Sequence, residues 1–276
     1  MTQNPVIPPL SGHVVICNCN EKVRAIVEEL HKDTAQKHRD VVLLIQDRNL
    51  WQSNPDWHPR PSGVAKVITL YGNPFDKECL DAACIKDANA AIILADPNQG
   101  QLADAQSTLM AVAIEKQNPQ VHTIQELILS INRDHLKAMN VDEVVCLGEI
   151  SEKLIAQSCI TPGVKNIFED LLTTAEGTPQ IFLPLMEPAI SGMSFREISR
   201  YCIQVEAPFI IIGFIISPPE TLFTREGRNM IKNSFLVNPK KTGKDLRLSE
   251  YDKLIIIAYD LPLSIAEYVL SGKGPP

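Results

Sequence analysis

The first stretch with residue types suited to ligand chemistry is Asn18-Cys19-Asn20-Glu21-Lys22-Val23, directly after the apolar run His13 to Cys17. Where a strand turns into a helix, dinucleotide-binding proteins carry G-x-G-x-x-G. None of the three glycines is present here. The first glycine permits a tight turn, the second lets the backbone approach a pyrophosphate, and the third lets helix and strand pack closely. Asn18 can meet the first need, because asparagine tolerates the left-handed conformation. Asn20 places a side chain where the pyrophosphate would lie, and Val23 is bulky at the third position. The usual NAD pose is therefore disfavoured, although the N–H groups of a helix start still attract an anion.

Asp47, followed by Arg48, ends a second apolar run, Val41 to Gln46. An acid at the end of a second strand is placed to bind a ribose, but the spacing from Asn20 is somewhat long for that motif, and a strand-end turn residue is an equal reading. Further polar candidates follow two more apolar runs: Tyr71-Gly72-Asn73 and Asp96. No nucleophile–base pair, G-x-S-x-G, H-E-x-x-H or P-loop is evident, and His13 and His122 lie inside strand runs as core or edge residues. The weight is against an enzyme. The seven cysteines are odd in number and form no CxxC, which reads as buried thiols in a reducing compartment. Lys232, Lys240, Lys241, Lys244 and Arg247 form a local basic stretch: an anion-binding patch or a solvated loop.

The elements that must hold these residues alternate. Strand runs are read at His13–Cys17, Val41–Gln46, Lys66–Tyr71, Ala90–Ala95, Val121–Ile128 and Glu143–Cys146. Helices are read at Glu21–Leu30, Asp76–Ile85, Leu102–Lys116 and Asp134–Met139. Strands apolar throughout and alternating with helices imply a parallel sheet covered on both faces. Such sheets bind ligands at the carboxyl ends of their strands, which gathers Asn18, Cys19, Asn20, Asp47, Arg48, Tyr71, Gly72, Asn73 and Asp96 around one crevice. The segment Arg48–Gly63, with two tryptophans and three prolines, reads as a long inserted loop. From Ile150 two amphipathic helices, Ile150–Ile160 and Val164–Leu172, flank Thr161-Pro162-Gly163, and their apolar face needs a partner surface. A short helix Phe195–Tyr201 and strands Phe209–Ser217, Ser234–Asn238 and Lys253–Tyr259 complete a small α+β lobe. The fold class is α/β: a Rossmann-like doubly wound parallel sheet (1–149), a helix-turn-helix crossover (150–176) and an α+β C-terminal lobe (177–276).

A hydrophobic fraction of 45% and a charged fraction of 21% exclude a disordered chain, a collagen and a coiled coil. A net charge of -7 argues against nucleic acid as a partner. The longest dense apolar segment, Phe209 to Ile216, is far short of the roughly 18–20 residues that cross a bilayer. The polar, proline-containing start has no signal-peptide pattern.

The order of these pieces resembles the regulator of potassium conductance (RCK) domain of ligand-gated potassium channels and potassium uptake systems. His13-Val14-Val15-Ile16-Cys17 is similar to its first strand. Ile92-Ile93-Leu94-Ala95-Asp96-Pro97, with Asp104-Ala105-Gln106 in a helix, is similar to its fourth strand and next helix. Val121-His122-Thr123-Ile124 through Val144-Val145 resembles its fifth and sixth strands. Thr161-Pro162-Gly163-Val164 to Leu172 resembles its helical crossover, and Tyr251 to Ile257 its last strand.

The resemblance implies a cytoplasmic homodimer exchanging its crossover, assembled into a ring under the pore domain of a channel or transporter at the inner face of the membrane. A sensed ligand would change the hinge between lobes, without catalysis. Missing glycines resemble the channel branch gated by cations or other ligands; the effector itself stays open among an adenine nucleotide, a divalent cation such as Ca2+, a cyclic dinucleotide on the C-terminal lobe, or none. In one calcium-gated pattern of the family, Asp96 and Glu126 match two carboxylate positions, while Ile128 stands at a third. The alternatives are an NAD(P)-dependent oxidoreductase and a stand-alone nucleotide sensor. With no pore segment before Met1, the chain reads as a soluble ring subunit or the cytosolic part of a longer channel.

Overall fold

The computed structural model describes residues 8–32, 39–60, 65–133, 141–217, 235–239 and 246–273. The chain falls into two compact units, Met1–Lys165 and Asn166–Pro276.

The first unit is built on strands β1 (Val14–Cys17), β2 (Val41–Ile45), β3 (Val67–Tyr71), β4 (Ala90–Ile93), β5 (His122–Leu127) and β6 (Glu143–Cys146). They form one parallel sheet in the order β3-β2-β1-β4-β5-β6. This is the doubly wound order, with its switch point between β1 and β4. Every residue of β1 and β2 is buried, because helices cover both faces. Alternate residues divide between two cores. Val15, Cys17, Val42 and Leu44 pack with Leu80, Met110 and Ile114 on one face. Val14, Ile16, Val41 and Leu43 pack with Val23, Val27 and Trp51 on the other. Each large aliphatic side chain so buried contributes roughly 1.5–3 kcal/mol.

The covering helices are α1 (Val23–Leu30), α2 (Arg48–Ser53), α3 (Lys77–Ala82) and α4 (Ala103–Gln117), followed by α5 (Leu147–Ile160). Helix α2 corrects the reading of Arg48–Gly63 as a loop: Asp47 accepts the Leu50 N–H and starts a helix, and Pro55–Trp57 forms a 3-10 turn. Trp51 is buried and stacks on His58 with ring centroids 4.5 Å apart. His13 is a core residue, its Nε2 2.9 Å from the Ala83 carbonyl oxygen. The helix expected at Asp134–Met139 lies outside the described residues.

The second unit contains α6 (Val164–Leu172), whose first residues fall in the first unit, then β7 (Gln180–Phe182), α7 (Phe195–Gln204), β8 (Phe209–Ile215), β9 (Phe235–Val237), β10 (Lys253–Ala258) and α8 (Ile265–Lys273). Its antiparallel sheet runs β7-β10-β8-β9. Ser194 and Glu197 form a reciprocal capping box that starts α7. Helices α7 and α8 pack on one sheet face through Ile198, Cys202, Ile265 and Val269. Strand β7 and helix α8 are not expected from the sequence. Of the basic stretch, Arg247 is described; it donates to the Gly192 carbonyl.

All seven cysteines are free thiols. Burial pushes Cys17 and Cys19 far up, and pushes Cys79 and Cys202 to about 11. At pH 7.5 a thiol with a pKa near 11 holds roughly one thiolate in three thousand. Maleimide at that pH should therefore leave Cys17, Cys79 and Cys202 unmodified while it consumes N-acetylcysteine, and should label them once guanidinium is added. Mass spectrometry of the digested chain reads the outcome, and rapid native labelling of Cys79 would contradict the burial argument.

Candidate functional site

At the carboxyl ends of β1, β2 and β4 the sheet leaves a cleft of about 690 Å³. Four stretches wall it: Asn18 to Glu21 after β1, Gln46 to Trp51 after β2, Trp57, and Asp96 with Gln99 and Gln106 after β4. This is where a doubly wound sheet places its ligand.

The β1–α1 turn is held by amides where glycines would otherwise stand. Asn18 is left-handed at φ 58° and donates its amide to the Leu94 carbonyl at 2.8 Å. Buried Asn20 donates to the Ala95 carbonyl at 3.0 Å and accepts the Lys22 N–H at 3.1 Å. The two amide-to-carbonyl bonds clamp the turn to the end of β4, across the switch point. Side-chain amides thus fill the space that backbone and pyrophosphate share in a glycine-rich turn.

Of the nine residues expected around the crevice, Asn18, Cys19, Asn20, Asp47, Arg48 and Asp96 line it. Tyr71, Gly72 and Asn73 do not. Tyr71 sits behind the wall, its ring 4.6 Å from the Arg48 guanidinium. At Gly72 a Cβ would come within 2.7 Å of Cys79 Sγ, so glycine serves packing there. Asn73 caps its own turn by accepting the Phe75 N–H. Sequence reasoning missed Trp57, Gln99 and Gln106 as lining residues; their signal was present only as position after a strand end.

Glu126, in β5, is buried with both carboxylate oxygens engaged. Oε2 accepts the Ala95 N–H at 3.0 Å, and Oε1 lies 2.6 Å from Lys22 Nζ. Asp104, near the start of α4, is also buried. Its oxygens accept the backbone N–H groups of Ile128 and Leu129 and the Asn132 amide. It ties the start of α4 to the end of β5.

Residues 9–125 match the calcium-activated potassium channel slowpoke-like RCK domain. They run from just before β1 into β5 and include every element that walls the cleft.

This lobe is similar to an RCK domain.

The chain is 26% identical over 217 residues to the calcium-gated potassium channel TvoK of Thermoplasma volcanium, covering 76% of this chain and 58% of the channel. It is 27% identical over 221 residues to the calcium-activated potassium channel slo-1 of Caenorhabditis elegans, covering 67% of this chain and 18% of that one. It therefore spans just over half the length of the first relative and under a fifth of the second. The human SLO3 gating ring shares its fold with a TM-score of 0.61 at 16% identity, over 90% of this chain and 44% of that one. Among the described residues no helix is long and apolar enough to cross a membrane.

The residues at these strand ends do not fit calcium. That ion takes six to eight oxygens. Glu126 already faces an ammonium group and a backbone N–H, and Ile128 offers no oxygen from its side chain. Among the described residues no group of three or more His, Cys, Asp or Glu side chains could hold a metal ion. The cleft also presents Trp57, an aromatic residue, and Asp47, an acid at the end of β2.

Proposed function

We propose that this chain is the ligand-sensing, cytosolic part of a potassium channel or potassium transporter. The observation that carries the reading is the match of residues 9–125 to the slowpoke-like RCK domain, because those same residues wall the cleft. The similarity to TvoK and slo-1, potassium channels gated or activated by calcium, supports it. The chain works as a homodimer within a ring, with the crossover helices α5 and α6 seated on a second copy. The three-part division 1–149, 150–176 and 177–276 belongs to this same reading.

Work on a pore requires no catalysis. A ligand drives the ring between two states by no more than its difference in affinity for them. The cleft suits a nucleotide held by its base and ribose. Trp57 supplies a stacking face, Asp47 a ribose partner, and Arg48, propped by Tyr71, a cation for one phosphate. The amide-filled turn at Asn18 and Asn20 leaves no bed for a dinucleotide pyrophosphate.

The experiment replaces the matching segment of TvoK with this chain and measures potassium flux from liposomes holding the chimera. Flux should change with added ADP or ATP, and NAD should have little effect. The two tryptophans of the chain both line the cleft, so their emission reads ligand binding in the isolated chain. A chimera that conducts but ignores every nucleotide, with unmoved tryptophan emission, would sink the nucleotide-sensor reading.

A further inference from the structure

Four residues, of which Asn20 lines the cleft, close a ring of hydrogen bonds. The Lys22 N–H donates to Asn20 Oδ1 at 3.1 Å. Asn20 Nδ2 donates to the Ala95 carbonyl at 3.0 Å. The Ala95 N–H donates to Glu126 Oε2 at 3.0 Å. Lys22 Nζ returns to Glu126 Oε1 at 2.6 Å. The ring joins the start of α1, the end of β4 and the end of β5, which in sequence lie up to 104 residues apart.

We infer that Lys22 is a tethered cation, holding by a covalent side chain the position at Glu126 where a bound metal ion would otherwise bridge the strand ends. This rests on the ligand-sensing reading and concerns the regulation of the same site. The geometry supports it at three points. The Glu126 side chain is 9% exposed and Lys22 31%, so the carboxylate is shielded while the ammonium reaches it from a partly exposed position. A shielded carboxylate without a counter-charge is costly, so some cation has to be there. And both oxygens are used, one by a neutral donor and one by the ammonium, so a metal ion at Glu126 would have to share the carboxylate with a positive charge 2.6 Å from Oε1. A lysine cannot diffuse away. The strand ends are therefore clamped at every calcium concentration, and the cleft is released to respond to another ligand.

The test uses the whole chain and reads thermal unfolding by tryptophan emission, with NaCl balancing ionic strength. Wild type should melt at the same temperature in calcium, magnesium or neither. Lys22→Ala should melt roughly 4–8 °C lower, and ethylammonium chloride, which restores the missing ammonium, should recover part of that loss where equal NaCl does not. Glu126→Gln should melt lower as well and gain nothing from ethylammonium. Calcium that stabilises wild type and fails to stabilise Glu126→Gln would overturn the inference. So would a Lys22→Ala chain that melts like wild type, or one that ethylammonium does not raise. Should Lys22→Ala fail to fold, Lys22→Arg keeps the question open to measurement: it should keep the wild-type indifference to calcium, and a calcium response in it would count against the tether. These outcomes are separate from nucleotide binding, which is read by ligand titration of the unaltered chain.

Discussion

Replacing Asp104 by alanine should lower the melting temperature of the first unit by roughly 6–20 °C. The carboxylate is buried and accepts from the Ile128 N–H at 2.8 Å, the Leu129 N–H at 3.1 Å and the Asn132 amide at 2.8 Å. Hydrogen bonds to a charged acceptor are worth about 1.5–3 kcal/mol each, and removal of the acceptor strands the donors as well. Two of the donors are backbone N–H groups in the turn that leaves β5, and no neighbouring side chain can replace the lost oxygens without that turn moving. A total near 3–5 kcal/mol, at about 2–4 °C per kcal/mol for a unit of this size, gives the stated range. Trp51 and Trp57 both lie in this unit, so their emission follows its unfolding separately from the C-terminal lobe. Asp104→Asn keeps one acceptor oxygen and should lose about half as much. An Asp104→Ala chain that melts within about 2 °C of wild type would show that the turn finds other partners.

The consequence reaches the cleft. Gln99 and Gln106 come from the segment that Asp104 anchors, and Glu126 lies two residues before Ile128 in the same strand run. Asp104→Ala should therefore weaken nucleotide binding by the tryptophan titration even at temperatures where the chain stays folded.

Much of the N-terminal lobe was legible because burial on both faces writes itself into sequence as unbroken apolar runs. Val41-Val42-Leu43-Leu44-Ile45 can be little else than a central parallel strand. The elements that escaped are those whose reasons lie far away. Helix α8 begins where Glu187, more than seventy-five residues upstream, accepts the N–H groups of Ile265 and Ala266 and the Ser264 hydroxyl. Its Ser271-Gly272 reads as a break, yet Gly272 is there because a Cβ would come within 2.5 Å of the Tyr201 carbonyl oxygen on α7. Strand β7 is three residues long and owes its extension to pairing with β10. The site shows the same division. Asn18 and Asn20 could be recognised as poor glycine substitutes, but their amides' work on the β4 carbonyls could not be read from spacing. Glu126 was legible as an acid on β5, and its partner Lys22 was not, because an ion pair between the start of α1 and β5 leaves no trace in either local pattern.

The crossover helices carry the other large effect. A single Ile155→Asp substitution should convert the chain from a multiple of 30.6 kDa to one copy in light scattering at micromolar concentration. No residue of α5 or of α6 is buried, although both carry several large apolar side chains. Ile155, Ile160 and Leu172 are 71%, 73% and 71% exposed, and Leu147, Ile150, Ile167 and Phe168 are exposed as well on the same two helices. Soluble single chains rarely leave that much apolar surface uncovered. Seven such side chains, buried on a second copy at roughly 1.5–3 kcal/mol each, give about 10–20 kcal/mol, enough to exceed an association cost of about 4–15 kcal/mol. The margin is a few kcal/mol. Ile155→Asp removes one aliphatic contribution and requires a carboxylate to enter an apolar contact, together several kcal/mol, so the dissociation constant should rise by at least a thousandfold. Lys165→Asp, on the same stretch but polar already, should leave the mass unchanged. If wild type is a single copy at about 50 µM, or if Ile155→Asp keeps the wild-type mass, these apolar side chains are covered by something other than a second copy of this chain, and the proposed homodimer fails.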